Sequence, residues 1–221
     1  MPHSHRHPAP GGAAQEPGAL IHWPHRYDLL VTVLFAGRGP RVRTNIADAV
    51  GLVPGQQVLD VGCGTGTLAL ALAKRVGPAG WVAGVDASPE MIAAAQMKAV
   101  RAKFDVHFEV AAAQQLPFAD GMFDAVTTSL TIHHVPEPDR LLALRELLRV
   151  MHPGGQLLIA EFQAPTWPIG KAVTRHLFGH AMADNDLTAI VDLAHDAGAV
   201  DLTRLPAGVG WLGLVHGRKP A

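Results

Sequence analysis

The sequence predicts an α/β fold in which helices cover a mostly parallel β-sheet. Short apolar runs of strand length alternate with segments of helical periodicity from about residue 58 to residue 197. Two final strand-like runs, at about 199–204 and 211–217, are separated by a turn of hairpin length over 206–210. Strands that alternate with helices and then end in a hairpin imply a parallel sheet with one antiparallel edge member.

The region before the first strand is predicted to hold a tail and two helices. Residues 1–19 are rich in Pro, Gly, Ala and His without an apolar period, so we expect a disordered tail. A flexible tail lacks preformed ligand geometry, so we predict no metal site at its histidines, which are His3, His5 and His7. Residues 20–35 are apolar on two helical faces, which suits deep burial or a cover over an apolar pocket. With a second helix at about 41–50, they form an N-terminal cap (about 20–50) on a single domain of residues 20–221.

The remaining elements follow from apolar periodicity and from breaker residues. Pro54 and Gly55 turn the chain into strand one, and Ser88 can cap a helix that has Pro89 at its first position. Further strands are predicted at 81–86, 105–110, 123–130 and 156–162, and further helices at about 89–101, 137–151 and from 184–186 to before Gly198. An irregular insert, 163–183, precedes the last of these helices.

The run VLDVGCGTGTLAL at 58–70 joins an apolar strand, a glycine turn and the start of an apolar helix. Gly62, Gly64 and Gly66 let the backbone turn sharply and approach a ligand, and the helix N-terminal amides face the same crevice. Asp86 lies twenty residues after Gly66, at the end of the apolar strand WVAGVD, where its carboxylate can accept both hydroxyls of a ribose. Together these features predict a nucleotide-binding turn.

The spacing of the glycines distinguishes between nucleotides. Dinucleotide-binding turns usually read G-x-G-x-x-G, but here the third glycine comes one residue early and Asp60 stands just before the turn. A carboxylate there would repel a pyrophosphate and could hold an ammonium. The run resembles motif I of the class I S-adenosylmethionine (SAM) methyltransferases, whose ligand has an ammonium, a sulfonium and no phosphate.

This resemblance covers about residue 27 to the C-terminus. It includes AAAQQLPFADGMFDAV (111–126), SLTIHHV (129–135) and LLRVMHPGGQLLIAEF (147–162). The nearest subfamily includes the ubiquinone and menaquinone C-methyltransferases. The resemblance implies a Rossmann-like three-layer sandwich with a seven-stranded sheet, an antiparallel C-terminal strand and the order 3-2-1-4-5-7-6. It also implies SAM as cofactor and a small-molecule methyl acceptor.

The resemblance also implies a set of cofactor-binding residues across the carboxyl ends of strands one to four. These are Tyr27, Asp60, Gly62, Cys63, Gly64, Gly66, Asp86, Ala87, Met91, Ala113, Gln114 and Ser129. Tyr27 would close over SAM, Asp60 would place the ammonium, and Asp86 would take the ribose hydroxyls. The alternatives are core packing for Tyr27, contacts with turn amides for Asp60 and helix capping for Asp86. Cys63 is expected to be a small side chain that permits close approach, with a nucleophile as the alternative.

One position departs from the family pattern. The family often has an acid that binds the adenine amino group, and here Ala112 stands in its place. Either Gln114 or Gln115 supplies an oxygen instead, or the Ala113 amide and apolar packing hold the adenine alone. Losing one neutral hydrogen bond weakens binding by about 1 kcal/mol, so we expect binding to survive.

Methyl transfer needs mostly positioning, and a base only if the acceptor has a proton to lose. His133 and His134, at the exit of strand four, are the candidates for that base. The alternative is that one of them caps the next helix or bonds a carbonyl. Ser129 is expected to contact the cofactor through its backbone.

The acceptor pocket is expected to involve the N-terminal helices, the segment after His134 and the 163–183 insert. The insert mixes apolar groups with imidazoles and predicts a small apolar or aromatic acceptor; its members are Trp167, His176, Phe178, His180 and Met182. It is shorter than expected for the dedicated quinone-pathway enzymes. Whether the methyl goes to O, N, S or C is left open.

Composition excludes several classes of function. The chain has 221 residues, a hydrophobic content of 48% and a net charge of −1, which suits one sizeable core and gives no electrostatic footprint for nucleic acid. Its single cysteine allows no internal disulfide. No run approaches the roughly 18 apolar residues of a membrane span, and no signal-type region opens the chain, so we expect cytoplasmic residence without membrane insertion. The oligomeric state is left open.

Three interpretations of different classes remain. The combined motifs favour a SAM-dependent methyltransferase. A non-catalytic SAM-binding module is compatible with Ala112 in place of the adenine-binding acid. A nicotinamide-dependent oxidoreductase shares the glycine turn and Asp86, but the early third glycine and Asp60 count against it.

Overall fold

The computed structural model describes residues 39–163 and 187–221. In addition to two short 3-10 helices, Ile132–His134 and Glu137–Asp139, the chain forms five α-helices and seven strands within these ranges. In chain order they are α1 (Gly39–Ala49), β1 (Gln57–Val61), α2 (Thr67–Val76), β2 (Trp81–Asp86), α3 (Pro89–Ala102), β3 (His107–Val110), β4 (Phe123–Ser129), α4 (Arg140–Val150), β5 (Met151–Phe162), α5 (Leu187–Ala197), β6 (Val200–Pro206) and β7 (Leu212–Arg218). The predicted tail, the helix at 20–35, the start of the helix near 184–186 and most of the 163–183 insert lie outside the described residues.

All seven strands form one sheet in the order β3-β2-β1-β4-β5-β7-β6, as the family resemblance implies. Strands β1 to β5 pair in parallel, whereas β7 is antiparallel to both β5 and β6. The predicted fold class is therefore confirmed. The antiparallel strand lies one position in from the edge, because the final hairpin places β7, and not β6, against β5.

The sheet separates two apolar cores. On one face Val58 and Val82 pack with Leu72 of α2 and with side chains of α1 and α3. On the other face Leu59 packs with Leu144 of α4 and with side chains of α5. Adjacent residues of the central strands point to opposite faces of the sheet. Because both faces are buried, the sequences of these strands are continuously apolar. The three layers are thus two helices, the sheet, and three helices.

Local signals set most element boundaries. Ser88 caps α3 by accepting a hydrogen bond from the Met91 N–H at 3.3 Å, with Pro89 at the start of the helix, as predicted. Strand β5 begins at Met151, five residues before the predicted start, because Met151 already pairs with Phe123 of β4. The pairing then resumes at Gln156 beyond an irregularity, so Pro-Gly-Gly is an interruption within the strand.

Candidate functional site

The parallel pairing brings the carboxyl ends of four strands to one edge of the sheet. At the end of β1, Val61 is paired with Val85 of β2 and with Thr128 of β4. The glycine turn follows β1, Asp86 ends β2, residues 111–115 follow β3, and residues 130–134 follow β4. The cofactor-site residues predicted within the described chain lie on or next to these strand ends, except Asp60, which is on β1, and Met91, which is in the first turn of α3. Open parallel sheets bind ligands at such an edge.

The glycine turn adopts a backbone that favours glycine at all three positions, with φ of 69° at Gly62, 51° at Gly64 and 74° at Gly66. A Cβ atom at Gly62 would overlap the side chain of Thr131. A Cβ atom at Gly66 would lie 2.7 Å from the ring of Phe108. At these two positions glycine is needed because neighbouring side chains of the protein fill the space, a reason that the sequence did not reveal.

Thr131 ties the glycine turn to the exit of β4. Its Oγ1 lies 3.3 Å from the Gly62 carbonyl oxygen and donates to the Ser129 carbonyl oxygen at 3.0 Å. Ser129 was predicted to contact the cofactor through its backbone, and its carbonyl already accepts one hydrogen bond. A carbonyl has two lone pairs, so one acceptor position is left at Ser129.

Asp86 joins the end of β2 to the glycine turn. Its Oδ2 accepts a hydrogen bond from the Gly64 N–H and its Oδ1 from the Ser88 N–H, both at 2.9 Å. Burial raises the pKa of Asp86, and the N–H groups of Ser88 and Gly64 oppose that rise. The Asp86 carboxylate therefore orders the glycine turn in addition to accepting the Ser88 N–H. Each of its oxygens retains a lone pair that can accept a further hydrogen bond.

Asp60 is the most unusual group of the site. It is 1% exposed, and its Oδ1 accepts a hydrogen bond from Thr127 Oγ1 at 2.8 Å. Its Oδ2 is buried without a hydrogen-bond partner among the described residues. Burial, assisted by the charge of Asp86, raises the pKa of Asp60 to about 7, against the lowering effects of the Thr127 hydrogen bond and of the nearby Ala69 backbone N–H. A buried carboxylate oxygen without a partner is costly, and a cationic ligand would relieve that cost.

The predicted adenine-side residues differ in accessibility. Met91 and Ala113 are 2% and 8% exposed, respectively, whereas Ala87 and Gln114 are half-buried. Ala112, at the position of the family's usual acid, is exposed, and its carbonyl accepts a hydrogen bond from the Gln115 N–H. Of the four predicted contacts, Met91 and Ala113 offer the least surface to a ligand in this conformation.

Cys63 is 7% exposed, and its thiol is free. Burial raises the pKa of Cys63 well above its ordinary value, and the charges of Asp60 and Asp86 raise it further. A buried neutral thiol is a poor nucleophile, so the environment favours the prediction of a small spacer side chain.

The two candidate bases at the exit of β4 have different environments. His133 is 7% exposed, and its Nδ1 lies 2.8 Å from Oε2 of Glu161, a fully buried residue of β5. His134 is exposed as a residue, but its ring lies against that of His133 with centroids 4.1 Å apart. Desolvation and the charge of His133 lower the pKa of His134 to about 4. Glu161 was missed by sequence reasoning; its only signal was an acid inside the apolar run QLLIAEF.

Some predicted features cannot be placed. Tyr27 and the insert residues Trp167, His176, Phe178, His180 and Met182 lie outside the described residues. Within residues 39–163 and 187–221, no cluster of three or more His, Cys, Asp or Glu side chains is arranged to hold a metal ion. In the same ranges no helix is both long and apolar enough to cross a membrane.

Comparison with known proteins agrees with this geometry. Residues 58–155 match the family described as methyltransferase domain. The demethylmenaquinone methyltransferase of Renibacterium salmoninarum is 42% identical over 154 residues, which cover 69% of this chain and 61% of that relative. The ubiquinone/menaquinone biosynthesis C-methyltransferase UbiE of Geobacter sp. is 37% identical over 155 residues, covering 69% of this chain and 65% of that relative. The matched region spans less than two thirds of the length of either relative.

A solved structure shows the same fold. The SAM-dependent methyltransferase of Aquifex aeolicus superposes with a TM-score of 0.70 at 24% sequence identity, covering 88% of this chain and 97% of that chain. The sheet order, the glycine turn and the sequence relatives therefore agree with one another. Residues 58–155 therefore match the methyltransferase domain, and about 154 residues of the chain are similar to the demethylmenaquinone and ubiquinone/menaquinone C-methyltransferases.

Proposed function

We propose that this chain is a SAM-dependent methyltransferase that methylates a small apolar or aromatic acceptor, and that residues 20–221 form a single domain for this purpose. The observation that carries the proposal is the buried Oδ2 of Asp60 beside the glycine turn, which has no hydrogen-bond partner among residues 39–163 and 187–221. It matches a cationic ligand such as the ammonium of SAM and disfavours the pyrophosphate of a nicotinamide cofactor. The residues present therefore fit the cofactor.

Each part of the cofactor has a set of residues suited to it. Asp60 places the ammonium, while the glycine turn with Cys63 packs against the methionine and ribose portion. Asp86 accepts the ribose hydroxyls with the lone pairs that the Gly64 and Ser88 N–H groups leave free. Adenine lies near Ala87 and Met91, held by the Ala113 amide and Gln114 in the absence of an acid at Ala112. Tyr27 and the Ser129 backbone complete the set.

The chain positions the reactants and supplies the base. When bound, SAM supplies a methyl group already activated on a sulfonium, which becomes a neutral thioether after transfer. The glycine turn and β4 exit fix the reacting geometry, and His133 or His134 takes the acceptor's proton where there is one. Relatives named for demethylmenaquinone and for ubiquinone/menaquinone biosynthesis support a quinone-like aromatic ring as the acceptor.

Calorimetry with matched ligands tests the cofactor assignment. We expect micromolar binding of SAM and S-adenosylhomocysteine to the purified protein and no binding of NADH. Asp60→Asn should weaken binding of both adenosyl ligands but leave 5′-methylthioadenosine unchanged, because that ligand lacks the ammonium. Thr128→Val is the control, since its buried hydroxyl also lacks a partner among the described residues and its side chain points to the sheet face opposite Asp60. Equal loss for all three adenosyl compounds would contradict the role given to Asp60.

A second candidate is a SAM-binding module without turnover, which the absence of an acid at Ala112 favours. Mass spectrometry after incubation with SAM and 1,4-naphthalenediol, 4-methylphenol or glycine separates the two. Methylation of the aromatic acceptors and not of glycine is the expected result. Equal methylation of glycine would contradict the acceptor class, and SAM binding without turnover of any acceptor would favour the module.

A further inference from the structure

Glu161 is a fully buried acid whose carboxylate organises the exit of β4. Its Oε1 accepts hydrogen bonds from the N–H groups of Thr131 at 3.0 Å and Ile132 at 2.8 Å. Its Oε2 lies 2.8 Å from His133 Nδ1 and accepts a weaker hydrogen bond from the Phe162 N–H at 3.3 Å. Both oxygens therefore face donors, as a buried carboxylate requires.

The same contacts hold an unusual backbone. Leu130, between β4 and the turn that carries the histidines, has φ of 54°, a conformation that branched and bulky residues rarely adopt. The Leu130 N–H donates to the Ala160 carbonyl at 2.8 Å, and the two following N–H groups reach Glu161. From the other side, Arg140 donates to the Val135 carbonyl at 3.0 Å and to the His133 carbonyl at 3.4 Å. The position of the His133 ring is thus fixed by both strand β5 and the start of α4.

Glu161 carries a charge in this environment. Burial acts to raise the pKa of Glu161, but the hydrogen bond and charge of His133 and the N–H groups of Ile132 and Phe162 outweigh it and hold the pKa below its ordinary value. An ionised carboxylate only accepts hydrogen bonds, so His133 Nδ1 must carry a proton. This contact keeps the proton on Nδ1 in both charge states of the ring, so Nε2 holds the free lone pair whenever His133 is neutral.

We propose that Glu161 is the positioning residue that fixes His133 in the Nδ1–H form, so that Nε2 is the base for acceptors that carry a proton. This rests on the function proposed above. The acceptor's nucleophilic atom forms its bond to the methyl carbon with its own electron pair, while the electrons of the breaking carbon–sulfur bond stay on sulfur. The acceptor's proton moves to Nε2, and the imidazolium that forms is paired with the Glu161 carboxylate until solvent takes the proton. The acceptor class is accordingly a phenol, an enol or a quinol.

Nitrogen-15 NMR of the histidine rings tests this without any acceptor. In the wild-type protein at pH 8 we expect His133 to show a protonated Nδ1 and an unprotonated Nε2, with a His133→Asn variant to assign the signals. In Glu161→Gln, the amide oxygen can still accept from Thr131 and Ile132, but the amide nitrogen donates to Nδ1 and drives the proton to Nε2. A wild-type signal with Nε2 protonated would overturn the proposal, and it is readable even if the variant does not fold.

Kinetics supply the second readout. With 4-methylphenol or 1,4-naphthalenediol as acceptor, Glu161→Gln should lower kcat by about 100-fold or more while SAM binding measured by calorimetry stays unchanged. We expect kcat of the wild type to rise with pH and this rise to be lost in the variant. Glu109→Gln, next to the exposed His107 on β3, is the matched control and should alter neither readout. An unchanged kcat in Glu161→Gln would overturn the positioning role, whereas failure of the wild type to bind SAM would overturn the proposed function and leave the ring assignment standing.

Discussion

Alanine at Gly66 should destabilise the protein for two separable reasons. Gly66 has φ of 74°, and a Cβ atom there would lie 2.7 Å from Cζ of Phe108 and 2.9 Å from Cβ of Ala95. The left-handed backbone costs a non-glycine residue about 1–2 kcal/mol. Crowding of a packed core adds about 1–3 kcal/mol. We therefore expect Gly66→Ala to lower the free energy of unfolding by about 2–5 kcal/mol.

Two other glycines isolate the two contributions. Gly51 has a similar φ of 71° but nothing within 4 Å of its Cβ direction, so Gly51→Ala carries the backbone cost alone. Gly84, on β2, has no such φ, but its Cβ would lie 2.7 Å from Cε1 of Phe108, so Gly84→Ala carries the crowding alone. The gain from a stiffer unfolded chain is common to all three substitutions, so it cancels between any two variants but enters twice in the sum of Gly51→Ala and Gly84→Ala.

Urea denaturation of the ligand-free protein at fixed pH, followed by circular dichroism, measures these differences. Gly66→Ala should be about 0.4–1 kcal/mol more destabilising than the sum of the other two, because the unfolded-state gain enters that sum twice. Free energies of unfolding for Gly66→Ala and Gly51→Ala that agree within about 0.5 kcal/mol would refute the crowding argument. Crowding is the contribution that Gly66 has and Gly51 lacks.

Three further predictions concern groups of the site and its supports. Because burial raises the pKa of Asp60 from 3.8 to about 7, the folded state holds a proton that the unfolded state has lost; the free energy of unfolding should fall as pH rises from about 4 to about 7. Asp60→Asn should flatten that slope in urea titrations, with Asp86 and Cys63 as the other titratable groups facing Asp60. Iodoacetamide should modify Cys63, the single cysteine, only in urea, and rapid labelling of the native protein would contradict its burial. Arg149 donates to the Leu116 and Phe118 carbonyls and to Glu146, a fork that lysine cannot reproduce, so Arg149→Lys should cost about 1–3 kcal/mol in the same titrations.

Local chemistry made parts of the fold predictable from sequence. The cap at Ser88 depends on residues within three positions, and the structure places it as predicted. The strand order followed from resemblance to a family, since periodicity alone does not say which strands are neighbours. The start of β5 was wrong because Pro-Gly-Gly reads as a break, whereas pairing of Met151 with Phe123 extends the strand across it.

The parts of the candidate site that lie within short sequence motifs could be predicted. The glycine turn and Asp86 stand where sequence spacing put them, and their contact through the Gly64 N–H fits that spacing. Glu161 could not be found in this way, because its partner His133 is 28 residues away and meets it only through the parallel pairing of β4 with β5. An acid in an apolar strand indicates a buried polar contact, but the residue that it contacts is known only once the strand register is known.

By itself, the sequence determined the α/β class, the glycine turn, the caps and the acids that precede and follow the turn, since each depends on residues close together in the chain. Only the tertiary structure decided that Thr131 and Phe108 crowd the turn, that one oxygen of Asp60 has no partner within the described part of the chain, and that Glu161 holds His133. These features arise where separate strands end side by side. Burial, crowding and hydrogen-bond pairing between distant residues are set by the packed fold, and no local pattern records them.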